Sequence, residues 1–416
     1  MPNGRRTTTL NKWTLGLAAA GLVSIPTISS AEEQMNQLWT AVTPTTISGY
    51  VNTSAHWNPG TGNANVPGFF LNEGKQDGFN LDVVQVNIEK PLGEETWTAG
   101  YRMDLLFGPD AAAWATTLDS AGDVQSTAIK QAYIIVRAPL GNGLDFQVGV
   151  FDSPIGYEYF EAPLNANYTA SYGNSIEPAA HTGVLASYEF CPVFKASFGV
   201  ANTHGPALNE RANPPKAESY KTYIGYVELN APEEWGSLGG SSLFGGVVSG
   251  YGSDLMADQT TWFLGLMLNT PVKNLKLGAA FDYLGSTGEF GADHFYANAW
   301  ALYASFQATE KLSLHARGEY ASTDTALLSG GFTDVGPAGI NGSARIFSLT
   351  GTLQYDLWEN VLSRLEVRWD HQAGDGEMNG YGGKLVSPGG GGTGGPSVSG
   401  DKRNAVMFAA NIIYKF

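Results

Sequence analysis

Between residues 311 and 320 the chain alternates: Lys311, Ser313, His315, Arg317 and Glu319 fall on one face of an extended segment, and Leu312, Leu314, Ala316, Gly318 and Tyr320 on the other. A period of two predicts a β-strand with unlike surroundings on its two sides, and a helix would not sort these side chains so. Residues 362–370 repeat the pattern, with Arg364, Glu366, Arg368 and Asp370 against Ser363, Leu365, Val367 and Trp369. In 274–283, Leu275, Leu277, Ala279, Phe281 and Tyr283 oppose Asn274, Lys276, Gly278, Ala280 and Asp282. The aromatic residue near that strand's end suits a girdle at a membrane interface. Residues 96–107, 144–151, 182–190 and 193–201 behave likewise.

With turns placed at Gly, Pro, Asn and Asp clusters, the pattern predicts sixteen strands, from about 45–57 to about 402–416, with fourteen and eighteen as the neighbouring counts. It leaves the orientation open for the second (78–90), fourth (128–138), eighth (218–229) and ninth (242–251). Short connections such as Pro91-Leu92-Gly93-Glu94, Leu140-Gly141-Asn142, Cys191-Pro192, Pro271-Val272, Thr309 and Leu357-Trp358-Glu359-Asn360 alternate with long ones at about 58–77, 108–127, 152–180, 322–342 and 372–401. That asymmetry is expected of a transmembrane antiparallel β-barrel with short periplasmic turns and long external loops, so the fold class is all-β. No apolar run after Ala31 is long enough for a spanning helix. Strands cross lipid only as a closed barrel, because an open edge leaves backbone groups unpaired at several kcal/mol each.

Residues 1–31 read as a signal peptide: Arg5, Arg6 and Lys12 form a basic start, Trp13 to Ile25 an apolar core too short to span a membrane, and Ser29-Ser30-Ala31 a small-residue cleavage site. Residues 32–44 are then a short periplasmic segment, too small to plug a wide lumen, and 45–416 the barrel. In the last strand Val406, Phe408, Ala410, Ile412, Tyr414 and Phe416 alternate with Met407, Ala409, Asn411, Ile413 and Lys415. This end, with Phe408, Ile412, Tyr414 and Phe416 as its apolar face, resembles the assembly signal of bacterial outer-membrane proteins. It implies the barrel-assembly machinery and outer-membrane lipid as partners and the bacterial outer membrane as the location.

Composition agrees: charged residues make up only 15%, aromatics 12%, and there are 53 glycines. Acidic residues number 39 against 23 basic, and the three basic residues of the signal would leave 20, which argues against a nucleic-acid partner. The single cysteine, Cys191, can form no internal disulfide and is expected to be a buried or half-buried spectator. His56, His181, His204, His294, His315 and His371 lack metal-ligand spacing, and the run Gly389 to Gly395 lacks the Lys-Ser/Thr of a phosphate loop. No metal and no cofactor are expected.

The stretch Asp152-Ser153-Pro154-Ile155-Gly156-Tyr157-Glu158-Tyr159-Phe160-Glu161-Ala162-Pro163, then Asn165, Ala170-Ser171-Tyr172, Glu177-Pro178 and His181-Thr182-Gly183-Val184-Leu185, resembles the porin-2, or OmpL-like, family of β-barrel porins. Lys130-Gln131-Ala132-Tyr133 and Leu140 to Gly149 fit the same family. The distinctive motif covers about residues 128–190, and Ala170 stands where relatives carry a basic residue. In general porins the loop in this place folds inward and narrows the channel, and the resemblance implies the same for residues 152–180. It also implies a homotrimer. Ala297, Ala299 and Ala301 would offer a small-residue outward face for that contact if the register were inverted there.

From Ala138 through Phe194 there is no Lys or Arg, so Asp152, Glu158, Glu161 and Glu177 are the candidate constriction residues. Candidate lumen-wall residues are Arg102, Asp104, Lys195, His315, Arg317, Arg364, Glu366 and Arg368, with Arg102, Arg317 and Arg368 near mid-strand height. Acids facing cations across the narrowest water would set a transverse field that filters ions. The blander reading makes Arg364, Glu366, Arg368 and Asp370 a self-neutralising ladder. The expected function is passive diffusion of small hydrophilic solutes and ions, against a solute-specific channel or a structural barrel as alternatives. An enzyme is not expected, since Ser313 and His315 both face the lumen rather than the outer surface.

Overall fold

A computed structural model describes residues 45–59, 77–114, 127–213, 216–252, 257–287, 294–323, 344–373, 381 and 402–416. The expected signal peptide, the 32–44 segment and the Gly389 to Gly395 run lie outside these residues. Among the described residues sixteen strands are formed. The first eight are β1 (Thr46–Trp57), β2 (Gly78–Lys90), β3 (Thr98–Phe107), β4 (Thr127–Ala138), β5 (Leu144–Asp152), β6 (Ala180–Cys191), β7 (Phe194–Ala201) and β8 (Thr222–Asn230). The rest are β9 (Ser242–Gly252), β10 (Ala257–Asn269), β11 (Leu275–Thr287), β12 (Phe295–Gln307), β13 (Leu312–Thr323), β14 (Ala344–Trp358), β15 (Val361–Ala373) and β16 (Asn404–Lys415).

Each strand pairs with its sequence neighbours, and β1 pairs antiparallel with β16, so the sheet closes into a barrel. At the closure Gly49 and Phe416 exchange backbone hydrogen bonds of 2.9 and 3.0 Å. Turns at one end are tight: Asn274 and Asn360 take φ of 67° and 64° there, a left-handed conformation that asparagine tolerates. The long connection that is described throughout, 153–179, lies at the other end, as the sequence predicts.

Alternation becomes an inside-out barrel. Leu302, Leu314, Leu349, Leu365 and Ile412 are exposed on the outer face, while Arg317, Glu319, Arg364, Glu366, Arg368 and Asp370 are buried on the inner one. The four strands of open orientation have two distinct causes. In β2 the register slips opposite Asn52 and Thr53, so that Asp82 and Val83 are both buried and inward parity changes along the strand. In β4 a slip opposite Asp104 and Leu105 does the same at Lys130 and Gln131. These are β-bulges, which insert one residue and reverse the face of everything after it. β8 and β9 keep their register, but their inner face is itself apolar, with Ile224, Tyr226, Phe244 and Val248 buried.

One alternative is closed and one expectation corrected. The register is not inverted in β12: Ala297, Ala299 and Ala301 point inward, the first two packed with Tyr172 and Ile176, while Tyr296, Trp300 and Leu302 take the outer face. Small side chains there make room inside the barrel and offer no outward patch. Cys191 is exposed, because it ends β6 at the rim, where the pairing with β7 slips and nothing covers it.

Candidate functional site

The connection from β5 to β6 is described throughout, and its side chains and backbone bond to inner-face residues around the barrel. Its root is apolar: Ile155 joins Phe151, Ile224, Phe244, Val248 and Phe263 in one buried cluster. This explains why β8 and β9 are apolar inside. Tyr157 stacks on Tyr303 of β12 with ring centroids 4.2 Å apart. Gly278 makes this possible, since a Cβ there would lie 1.8 Å from the Tyr157 hydroxyl oxygen.

Beyond the root, contacts are ionic. Glu158 accepts hydrogen bonds from Arg317 Nη1 (2.8 Å), Tyr303 Oη (3.2 Å) and the Ser171 backbone N–H (2.7 Å). Arg317 also donates to Glu319 at 2.7 Å and to the carbonyls of Thr169 (2.6 Å) and Ala170 (3.0 Å). Arg368 adds a second bond to the Ala170 carbonyl at 2.6 Å, pairs with Asp370, and lies over the Tyr172 ring. Arg364 donates to the carbonyls of Ala162 (2.9 Å) and Asn165. A connection without regular structure leaves carbonyls unpaired, and the forked guanidinium, with five donors, suits collecting them.

Glu366 does the reverse, accepting from the backbone N–H groups of Tyr168 (2.6 Å) and Thr169 (2.9 Å) and from the Thr169 and Thr352 hydroxyls. Tyr168 reaches past β16 to the first strands, donating to Ser54 of β1 at 3.0 Å and Asp82 of β2 at 3.1 Å. Tyr172 donates to Asp370 at 2.8 Å while its N–H reaches Glu319 at 2.7 Å.

A second ionic cluster holds the rest. Lys130, the bulge residue of β4, is fully buried between Asp152 and Glu161, with Nζ 2.8 Å from the Glu161 carboxylate. Its ammonium lies 5.1 Å from the Trp114 ring centroid and 5.6 Å from that of Phe160. Burial pushes the Glu161 carboxyl up, but Lys130 and Arg102 outweigh it and hold the group down at about 2.

Of the candidate constriction residues, Asp152, Glu158 and Glu161 thus touch cations directly, and Glu177 shares a hydrogen bond with Asp282 of β11. Acids and wall cations are in contact here rather than opposed across water, with Arg317, Arg364 and Arg368 buried. Within-strand pairs of the ladder type also occur, Arg317 with Glu319 and Arg368 with Asp370. Other wall candidates pair with strand residues: Arg102 with Asp104 (2.9 Å) and Glu89 (3.7 Å), Lys195 with Glu189 (3.6 Å), and His315 with Ser305 (2.9 Å). Phe408, Ile412, Tyr414 and Phe416 all lie on the outer face.

Sequence reasoning named Lys130 and Tyr172 only within the family motif, not as site residues, and passed over Tyr168. The broken period at 130–131 is the signal for the first. The Ala170 carbonyl receives Arg317 and Arg368 from the wall.

Solved structures with the same fold are outer-membrane proteins. An anion-selective porin from Comamonas acidovorans has a TM-score of 0.56 at 13% identity, covering 89% of this chain and 99% of that one. The outer membrane channel DcaP of Acinetobacter baumannii has a TM-score of 0.55 at 13% identity, covering 89% and 97%. OmpT of Vibrio cholerae, an outer membrane protein in its trimer form, has 0.53 at 12% identity, covering 89% and 99%. At such identities the likeness is one of fold. No curated protein matches the sequence. The family described as "Putative beta-barrel porin-2, OmpL-like" matches residues 44–416, which hold all sixteen strands, and the chain belongs to that family.

Proposed function

We propose that this outer-membrane barrel passes small hydrophilic solutes and ions by passive diffusion, through a lumen narrowed by residues 152–180. The observation that carries the reading is the pairing of Glu158 with Arg317 and of Glu161 with Lys130, which ties that connection to inner-face side chains on both β4 and β13. Because these acids already have partners, selectivity in this reading comes from the balance of each pair rather than from a bare acidic ring. Exchanging Glu158 for Gln leaves the Arg317 charge in excess at one point of the lumen. Planar-bilayer recordings of Glu158→Gln and Glu161→Gln test this. Unchanged conductance and unchanged cation-to-anion permeability in both would remove residues 152–180 from the account.

The same reading takes residues 1–31 as a cleaved signal peptide and the last strand as the mark read by the assembly machinery. It takes a homotrimer as the working assembly, in keeping with the trimeric OmpT form. No enzymatic role is included. Heat-dependent gel mobility of detergent-extracted protein tests the trimer.

A further inference from the structure

Residues 152–180 are held from a second direction. Between Ala373 and Lys402 the described residue is Tyr381, and it is 5% exposed. A buried phenol needs a partner for its hydroxyl. Tyr381 Oη lies 3.3 Å from Tyr172 Oη, and Tyr172 Oη donates to Asp370 Oδ1 at 2.8 Å. A phenol has one hydrogen to give. That of Tyr172 goes to Asp370, so Tyr381 is the donor between the two rings. The relay then runs from Tyr381 through Tyr172 to the Asp370 carboxylate, each bond polarising the next.

Both ends of the relay are fixed. The Tyr381 N–H donates to the Lys402 carbonyl at 3.0 Å and the Lys402 N–H donates back to the Tyr381 carbonyl at 2.9 Å, two residues before β16 begins. Asp370 belongs to β15 and pairs with Arg368 at 3.0 Å. Arg368 in turn lies 5.0 Å from the Tyr172 ring centroid. Along the connection, Arg317 and Glu366 fix the backbone from Tyr168 to Ala170. Beyond that point the hold passes to Tyr172, whose N–H reaches Glu319 and whose hydroxyl reaches Asp370 and Tyr381.

We propose that Tyr381 is a positioning residue for the narrowing of the lumen: it clamps residues 168–176 against β15 through Tyr172 and so sets the width left to a passing solute. The proposal rests on reading 152–180 as the element that narrows the lumen. Removing the Tyr381 ring opens Tyr172 and Asp370 to water, which competes for the bonds that hold the stretch in place.

The test uses the full chain in mild detergent and measures amide hydrogen exchange of peptides covering 168–176, together with liposome swelling in sugars of graded size. Heat-dependent gel mobility checks that each variant is folded. Exchange is expected to be about fivefold faster in Tyr381→Phe, which loses one hydrogen bond, and more than about tenfold faster in Tyr381→Ala, with peptides of β10 unchanged. Tyr381→Ala is also expected to admit larger sugars than the parent does. In a Tyr172→Phe background, Tyr381→Phe should add nothing, because the relay is already broken; an added effect would overturn the relay. Equal exchange in Tyr381→Ala and the parent would overturn the clamp, and faster exchange with an unchanged size limit would overturn its part in setting the width. A parent barrel that passes no sugar would count against passive diffusion instead, and exchange alone would then decide the clamp.

Discussion

Glu158 Oε1 lies 2.8 Å from Arg317 Nη1, joining the β5–β6 connection to β13 across 159 residues of sequence. Both side chains are nearly or wholly removed from solvent. A buried pair of this kind adds little over an apolar pair, but removing one member is costly because the other charge remains.

Arg317→Ala therefore leaves Glu158 and Glu319 without their shared cation and removes a donor from the Thr169 carbonyl, while the Ala170 carbonyl keeps its bond from Arg368. A loss on the order of 3–5 kcal/mol is expected, local to the connection. Arg317→Lys keeps the charge but not the fork, and is expected to recover only part. Single-channel traces would show the difference as larger and noisier openings in Arg317→Ala, and steady wild-type traces would refute it.

Among the described residues Lys130 is the one cation paired with both Asp152 and Glu161. Lys130→Met leaves two neighbouring carboxylates facing each other in the interior. The triple variant Lys130→Met/Asp152→Asn/Glu161→Gln removes the charges together and is expected to regain most of the lost stability. Urea midpoints followed by tryptophan fluorescence decide this, since equal midpoints for the single and triple variants would exclude the ionic explanation.

Acid should act in two steps. The Glu161 carboxyl is held at about 2, below its ordinary 4.5, so its contribution is full above about 4.5 and is lost as pH falls toward 2. Burial lowers the His204 imidazole from 6.5 to about 4, so the neutral form is favoured in the fold and that contribution fades between those values. His204 bonds to Thr261 at 3.0 Å, and His204→Gln is expected to shrink the upper step while leaving the lower one. Thermal midpoints across pH 3 to 7 would show it, and a parallel fall in both proteins would contradict it.

Closure depends on Gly49. A Cβ there would lie 2.1 Å from the Gln85 carbonyl oxygen and 2.7 Å from the Phe416 ring, so β1 or β2 must shift and the Phe416 ring must give way to accept one. Gly49→Ala is expected to cost about 1–3 kcal/mol and to lower the temperature at which the folded gel band disappears. An unchanged band would show that the strand ends move freely.

Much of the barrel was legible because a membrane and a wet lumen impose opposite demands on alternate residues, as at 311–320 and 362–370. Legibility failed where something other than water or lipid met the strand. At Asp82 and Lys130 a bulge reversed the period, and the residues it turned inward bond to the β5–β6 connection. At Ile224, Phe244 and Val248 the apolar root of the same connection made the inner face look like the outer. Glu158 and Glu161 could be singled out as acids without nearby cations in sequence, but their partners lie in β13 and β4, and no spacing rule links them. The inverted register that would have put Ala297 and Ala299 outside is closed by Tyr172 and Ile176, which pack against them.

Conductance of the full-length protein in a planar bilayer tests the central claim most directly. Stepwise, ohmic currents that persist across a panel of sugars and amino acids are the expected result. A folded, inserted barrel that carries no current would contradict passive diffusion outright.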